Sequence, residues 1–279
     1  MKRILAKNGV VFYRSSLIPC VHGFSTRIGG VSMLPHTQSL NLGVDRGDEV
    51  ITVRENLSRF GAAVGFRAEQ VISVAQIHST KIRYVTEQQG GEGYFSPETE
   101  ACDGYVTDRR GVVLGVRTAD CVPILLYAPP NSSGFAGGVA AVHAGWRGTA
   151  GRIVNNAVDA LCAMGAEKET VKAAVGPAIG PCCYEVQQDF TNQFQEMLGK
   201  SLTERFVVPH EKKTGVWRAD LLSINRALLL EAGVPSESID LCPVCTCCHP
   251  KEFYSHRYSK GVRGTMLSVI SLESRINEE

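Results

Sequence analysis

Three short runs rich in Val, Leu and Ala, residues 112–117, 122–128 and 138–142, follow one another with no helical stretch among them. Neighbouring parallel strands need a long crossover, usually a helix, whereas antiparallel strands are joined by short loops. The block therefore argues against a doubly wound parallel sheet and predicts an α+β arrangement, with mixed β-sheets flanked by helices. Residues 9–14, 71–76, 81–86 and 265–271 add further strand signals, bounded by Gly, Pro, Asp or Asn. Helical periodicity runs over 52–64, 149–164, 189–198 and 220–232, the last with Leu221, Ile224, Leu228 and Leu229 on one face. Asp220 and Thr149 are the expected N-caps, and Gly165 and Gly233 stand where helix-ending glycines belong.

No Pro/Ser-rich or charged linker divides the 279 residues, so one domain over 1–279 is expected. A content of 44% hydrophobic and 20% charged residues is enough for an ordinary core and unlike a disordered chain. The 29 basic and 28 acidic residues leave a net charge of +1, too little to concentrate nucleic acid or an anionic membrane surface. The expected partner is therefore a small molecule, with the oligomeric state left open. Lys2 and Arg3 are followed by no continuous apolar segment, and no stretch approaches the ~20 apolar residues of a membrane span, which predicts a soluble, cytoplasmic protein. A reducing compartment keeps thiols free, so the ten cysteines point to metal binding, catalysis or packing. Cys20, Cys102 and Cys162 read as small buried hydrophobes.

Three residues are candidates for a metal site. His78 follows the strand-like 71–76, Cys121 stands between two strand-like runs, and His143 ends the run Val139-Ala140-Ala141-Val142-His143. Strand termini are places where side chains from distant segments converge on a rigid scaffold, so two imidazoles and a thiolate could form a three-ligand site with a fourth position open. Each residue taken alone reads as an ordinary core histidine or thiol, and the spacing is no local metal motif.

Several strings add a resemblance. They are His22-Gly23-Phe24-Ser25-Thr26-Arg27 with Gly29-Gly30-Val31-Ser32, Gln76-Ile77-His78-Ser79, Arg117-Thr118-Ala119-Asp120-Cys121-Val122-Pro123, Ala141-Val142-His143-Ala144-Gly145-Trp146-Arg147-Gly148, Gly176-Pro177-Ala178-Ile179-Gly180 and Phe253-Tyr254-Ser255-His256-Arg257. Together they resemble the signatures of the YfiH/YlmD family of laccase-domain, polyphenol oxidase-like proteins, over about residues 20 to 270. The chain departs from the pattern at Tyr258, where a second Arg is usual. The resemblance implies a single α+β domain related to the cytotoxic necrotizing factor/YfiH-like cysteine hydrolase fold. It also implies a zinc-dependent purine nucleoside phosphorylase acting on adenosine, inosine or methylthioadenosine, with adenosine deaminase activity. The family's metal triad falls on His78, Cys121 and His143.

Zinc on such ligands lowers the pKa of bound water toward ~7, as deamination requires. Asp120, beside Cys121, is the candidate for proton transfer or for orienting a ligand imidazole. Phosphorolysis needs an anion site, for which Arg147 at the start of the helix predicted over 149–164 and Arg27 ahead of Gly29 and Gly30 are candidates. Trp146, Phe24 and Tyr254 are candidates for stacking a purine, and Arg257 joins them as a substrate-binding residue.

Three alternatives stand beside this reading. Cys121 as nucleophile with His143 as its base describes a cysteine hydrolase. His, Cys and His also suit copper and a polyphenol oxidase, although four-electron oxygen reduction normally takes several imidazole-rich centres, and this chain has seven His and no His-x-His pair. A non-enzymatic structural zinc protein would centre on Cys242-Pro243-Val244-Cys245-Thr246-Cys247-Cys248-His249, with Cys182 and Cys183 as its second ligand pair.

Overall fold

Runs such as 122–128 are apolar at consecutive positions because both faces of their sheet are covered. Ile124 and Leu126 point into a core shared with helices, while Leu125 between them points into a second core shared with another sheet. The chain is seen in a computed structural model that describes residues 1–274. Its first strands are β1 (Lys2–Leu5), β2 (Val11–Arg14) and β3 (Cys20–Ser25), followed by helix α1 (Val50–Val64). The central strands are β4 (Val71–Ile72), β5 (Ile82–Tyr84), β6 (Gly104–Thr107), β7 (Val113–Thr118), β8 (Val122–Ala128) and β9 (Gly138–Ala144). Next come α2 (Trp146–Ala150), α3 (Ile153–Ala163), β10 (Lys172–Val175), β11 (Glu185–Gln187), α4 (Gln188–Leu198) and α5 (Lys200–Phe206). The chain continues through β12 (Val207–Pro209), β13 (Val216–Ala219), α6 (Leu221–Glu231), β14 (Ile239–Leu241), α7 (His256–Ser259) and β15 (Met266–Ser274).

Two six-stranded mixed sheets, ordered β1-β2-β3-β15-β7-β4 and β14-β10-β8-β9-β6-β5, form the centre. Leu114, Val116, Met266 and Ile270 of the first face Tyr105, Leu125, Val139 and Ala141 of the second. Helix α1 covers the outer face of the first sheet through Val53, Leu57, Phe60 and Val64. Helices α3, α4 and α6 cover the second through Val154, Val158, Phe194, Ile224 and Leu228. The expected α+β arrangement of mixed sheets flanked by helices is what the chain adopts, and a three-stranded sheet β11-β13-β12 lies outside the pair.

Two expectations need correction. Of 71–76 only Val71–Ile72 is strand. Beyond it the backbone leaves the ladder, Ser73 N–H donating to Glu92 O and Val74 N–H to the Tyr105 hydroxyl. The periodic stretch 149–164 is two helices, broken where Arg152 takes a left-handed φ of 63°. A Cβ on Gly151 would stand 2.4 Å from Thr80 Cγ2, so the break lies where the segment after His78 crosses close to the helix. Gly145 is the N-cap of α2 and Thr149 lies inside it, buried, its Oγ1 accepting from Asn225 Nδ2 at 3.0 Å. Asp220 does cap α6, accepting from Ser223 N–H, and Gly165 and Gly233 take the positive φ of helix-ending glycines.

Candidate metal centre and cavity

Strand register brings the site together. In the second sheet Pro123 pairs with His143 and Gly104 with Val142, while Ile82 pairs with Gly104. Cys121 just before β8, His143 near the end of β9, Asp103 just before β6 and the turn of His78 before β5 therefore meet at one edge. One ligand atom from each of His78, Cys121 and His143 lies within 4.8 Å of the others, with Cys121 Sγ 3.9 Å from His78 Nε2 and the imidazole centroids 5.0 Å apart. Cys121 is half-buried, His143 buried and His78 exposed. His78 is not at a strand end; it sits in a loop with a left-handed φ of 58°.

Asp103 holds this arrangement in place. Its Oδ1 bonds His143 Nδ1 at 2.9 Å and accepts from His78 N–H at 3.0 Å, and its Oδ2 accepts from Ser79 N–H at 2.6 Å and Ser79 Oγ at 2.7 Å. Burial works against its charge, yet the bonds from His143 and Ser79 hold the carboxyl down to about 2. Burial alone would lower His143, but the Cys121 charge and Asp103 raise it to about 9. Burial alone would raise the Cys121 thiol, and the charge and hydrogen bond of His143 instead lower it to about 6. Asp103 belongs to no motif string, and its one sequence signal is the Asp-Gly pair ahead of Tyr-Val-Thr, a turn-then-strand pattern that marks the start of β6.

The metal-capable group opens into a cavity of about 560 Å³. Asp120 lines it, with Oδ1 accepting from Thr246 Oγ1 at 2.6 Å and Oδ2 from Arg257 N–H at 2.9 Å, so the carboxylate hydrogen-bonded to an imidazole of the metal-capable group is Asp103 rather than Asp120. Trp146 and Arg257 line the cavity as well. Phe24, Tyr254, Arg27 and Arg147 lie outside its lining. Phe24 and Tyr254 are core residues between the sheets. The Arg27 guanidinium donates to the backbone oxygens of Gln38 and Pro250, and exposed Arg147 stacks on Trp146 at 4.2 Å. Instead Arg46, Arg117 and Arg263 join Arg257 in the wall, together with Tyr184. Arg263 Nε and Arg117 Nη1 are buried without hydrogen-bond partners, and burial together with neighbouring Arg46 lowers the Arg263 pKa below its ordinary value. Arg46, Arg117 and Arg263 come from segments more than seventy residues apart and belong to no shared local motif.

Residues 21–273 match the family described as multi-copper polyphenol oxidoreductase laccase. The chain belongs to that family. Similar proteins include the purine nucleoside phosphorylase YlmD of Geobacillus stearothermophilus, 37% identical over 254 residues, covering 90% of this chain and 89% of that protein. Adenosine deaminase RL5, from an unknown prokaryotic organism, is 33% identical over 239 residues, covering 85% and 88%. The crystal structure of the Bacillus licheniformis hypothetical protein YfiH superposes with a TM-score of 0.87 at 31% identity, covering 97% of this chain and 99% of that one. A metal ion of the kind the family description implies fits the donor set: Asp103 occupies His143 Nδ1, which leaves Nε2 free to ligate beside a low-pKa thiol and the His78 ring.

Proposed function

We propose that the chain is a zinc-dependent purine nucleoside phosphorylase, acting on adenosine, inosine and methylthioadenosine, that also deaminates adenosine. The observation that carries this reading is one cavity joining a His78, Cys121, His143 donor set to buried guanidinium N–H groups that lack partners. Its volume falls within the roughly 300–1,000 Å³ range of small-molecule sites. When bound, zinc supplies Lewis acidity and lowers the pKa of a water it holds. Arg263 and Arg117 would hold phosphate, with Arg46 adding charge, and the Trp146 and Tyr184 rings would flank the purine. Asp103 would hold the His143 tautomer and the His78 loop. Asp120, fixed by Thr246 and the Arg257 backbone, would position that wall of the cavity. The free cysteines suit the reducing cytoplasm, and no helix among the described residues is long and apolar enough to cross a membrane. The test is product analysis on zinc-loaded protein. Adenosine should give inosine, and phosphate should release free base and ribose 1-phosphate. Fully zinc-loaded protein that turns over no nucleoside would refute the proposal.

A second reading has an observation of its own. Cys121, His143 and Asp103 form a thiol, imidazole and carboxylate in series, the array of a cysteine hydrolase. His78 separates the two: His78→Ala should remove most bound zinc and nucleoside turnover, whereas a cysteine nucleophile would survive its loss.

A further inference from the structure

Far along the chain from the His/Cys/His group, four cysteines converge from two loops. We propose that Cys182, Cys183, Cys245 and Cys248 form a second metal site, which takes a single structural Zn²⁺. Their sulfurs all lie within 4.8 Å of one another, and Cys248 Sγ is 3.5 Å from Cys182 Sγ and 3.4 Å from Cys183 Sγ. Four thiolates on zinc at ~2.3 Å place neighbouring sulfurs about 3.8 Å apart, close to these separations, whereas a disulfide would need about 2.05 Å.

The backbone prepares the cluster independently of any ion. The Gly180 N–H donates to Cys245 Sγ at 3.2 Å, a bond that favours a thiolate there. Cys183 and Tyr184 N–H groups close a turn onto Gly180 O, and Thr246 N–H donates to Ala178 O at 3.0 Å, pairing the loops next to the sulfurs. The ligand pairs are Cys182 with Cys183 and Cys245-x-x-Cys248. Cys242, the other half of the Cys-x-x-Cys visible in the sequence, is buried in the core between the sheets and takes no part. Four soft sulfurs with no imidazole or carboxylate among them select zinc over harder divalent ions.

The ion would tie together two loops that carry the cavity wall. Ile179 and Tyr184 of the first loop line the cavity, and Arg257 Nη1 donates to Cys183 O at 3.0 Å. From the second loop Thr246 donates to Asp120. The assignment rests on thiol geometry alone and does not depend on the catalytic reading.

The test is a zinc count on protein purified under reducing conditions without added metal. Cys182→Ser/Cys248→Ser should carry one ion fewer per chain than the parent protein. His78→Ala/His143→Ala should retain one zinc, whose X-ray absorption shows only sulfur neighbours at about 2.3 Å. Equal zinc in parent and Cys182→Ser/Cys248→Ser would overturn the proposal. So would iron in place of zinc, nitrogen or oxygen neighbours in the imidazole-free variant, or a disulfide among the four cysteines in the parent. If the serine variant does not fold, the absorption spectrum of the imidazole variant decides alone.

Discussion

Asp103 is fully buried and accepts bonds from the backbone of the His78 loop, the Ser79 hydroxyl and the His143 ring, so the placement of both imidazoles of the metal-capable group depends on one carboxylate. Asp103→Asn should weaken zinc binding about 10–100-fold, read by chelator competition; unchanged affinity would remove its positioning role. Because its folded pKa is depressed to about 2, its contribution to stability is present above the ordinary carboxyl value and is lost as pH falls from about 4 to 2. The melting-temperature gap between parent and Asp103→Asn proteins should therefore close over that window. Arg263 offers a different readout. If its Nε meets phosphate, Arg263→Ala should raise the phosphate KM about 10-fold or more and spare adenosine deamination. Equal losses in both reactions would make it a general structural residue.

At the scale of elements, the close approach of β9 to the His78 loop depends on a missing side chain. A Cβ on Gly145 would stand 2.7 Å from His78 Cδ2 and 3.3 Å from Cys121 Sγ, although the backbone there, at φ −67°, suits any residue. Gly145→Ala should leave the far-ultraviolet spectrum intact while lowering zinc content, and full zinc retention would refute the steric argument. Asp220→Ala, by contrast, should cost about 1 kcal/mol in urea denaturation through the lost cap on Ser223 and leave zinc content unchanged. The cap was legible because its signal is local: an Asp immediately before an apolar-periodic run. Strands β1, β3, β6, β10, β11, β12, β13 and β14 are not: all but β3 have only three or four residues, too few for alternation to register, and β3, β6, β10 and β14 pair with strands tens of residues or more away.

The two sheets share one interior, to which Leu125 contributes a fully buried side chain. Leu125→Ala should cost about 2–5 kcal/mol and should lower a single cooperative transition, since a cavity there loosens both sheets. The number of candidate metal centres in the whole molecule bears on the choice between nucleoside and oxidase chemistry. Among the described residues only one group of three or more metal-capable side chains contains histidine. If the proposed function holds, a zinc-loaded, copper-free preparation should turn over adenosine, and because zinc is redox-inert it should leave phenolic dyes unoxidised. Oxygen consumption with phenols at about 1 per second or faster by copper-loaded protein, with zinc protein inert toward nucleosides, would reverse the assignment.

The sequence by itself determined the class of fold, the Asp220 cap of α6, the glycines that end α3 and α6, and the three metal-capable side chains, because hydrophobic period, capping chemistry and the quoted motif strings are all local patterns. Which groups stand around them was decided only by the tertiary structure. Asp103 behind His143, Arg46, Arg117 and Arg263 in the cavity wall, and the pairing of Cys182 and Cys183 with Cys245 and Cys248 all depend on register and packing between segments tens of residues apart. The same packing drew Phe24 and Tyr254 into the core, because burying an aromatic ring between two sheets is favourable wherever its neighbours leave room, and no local pattern distinguishes that fate from stacking on a ligand.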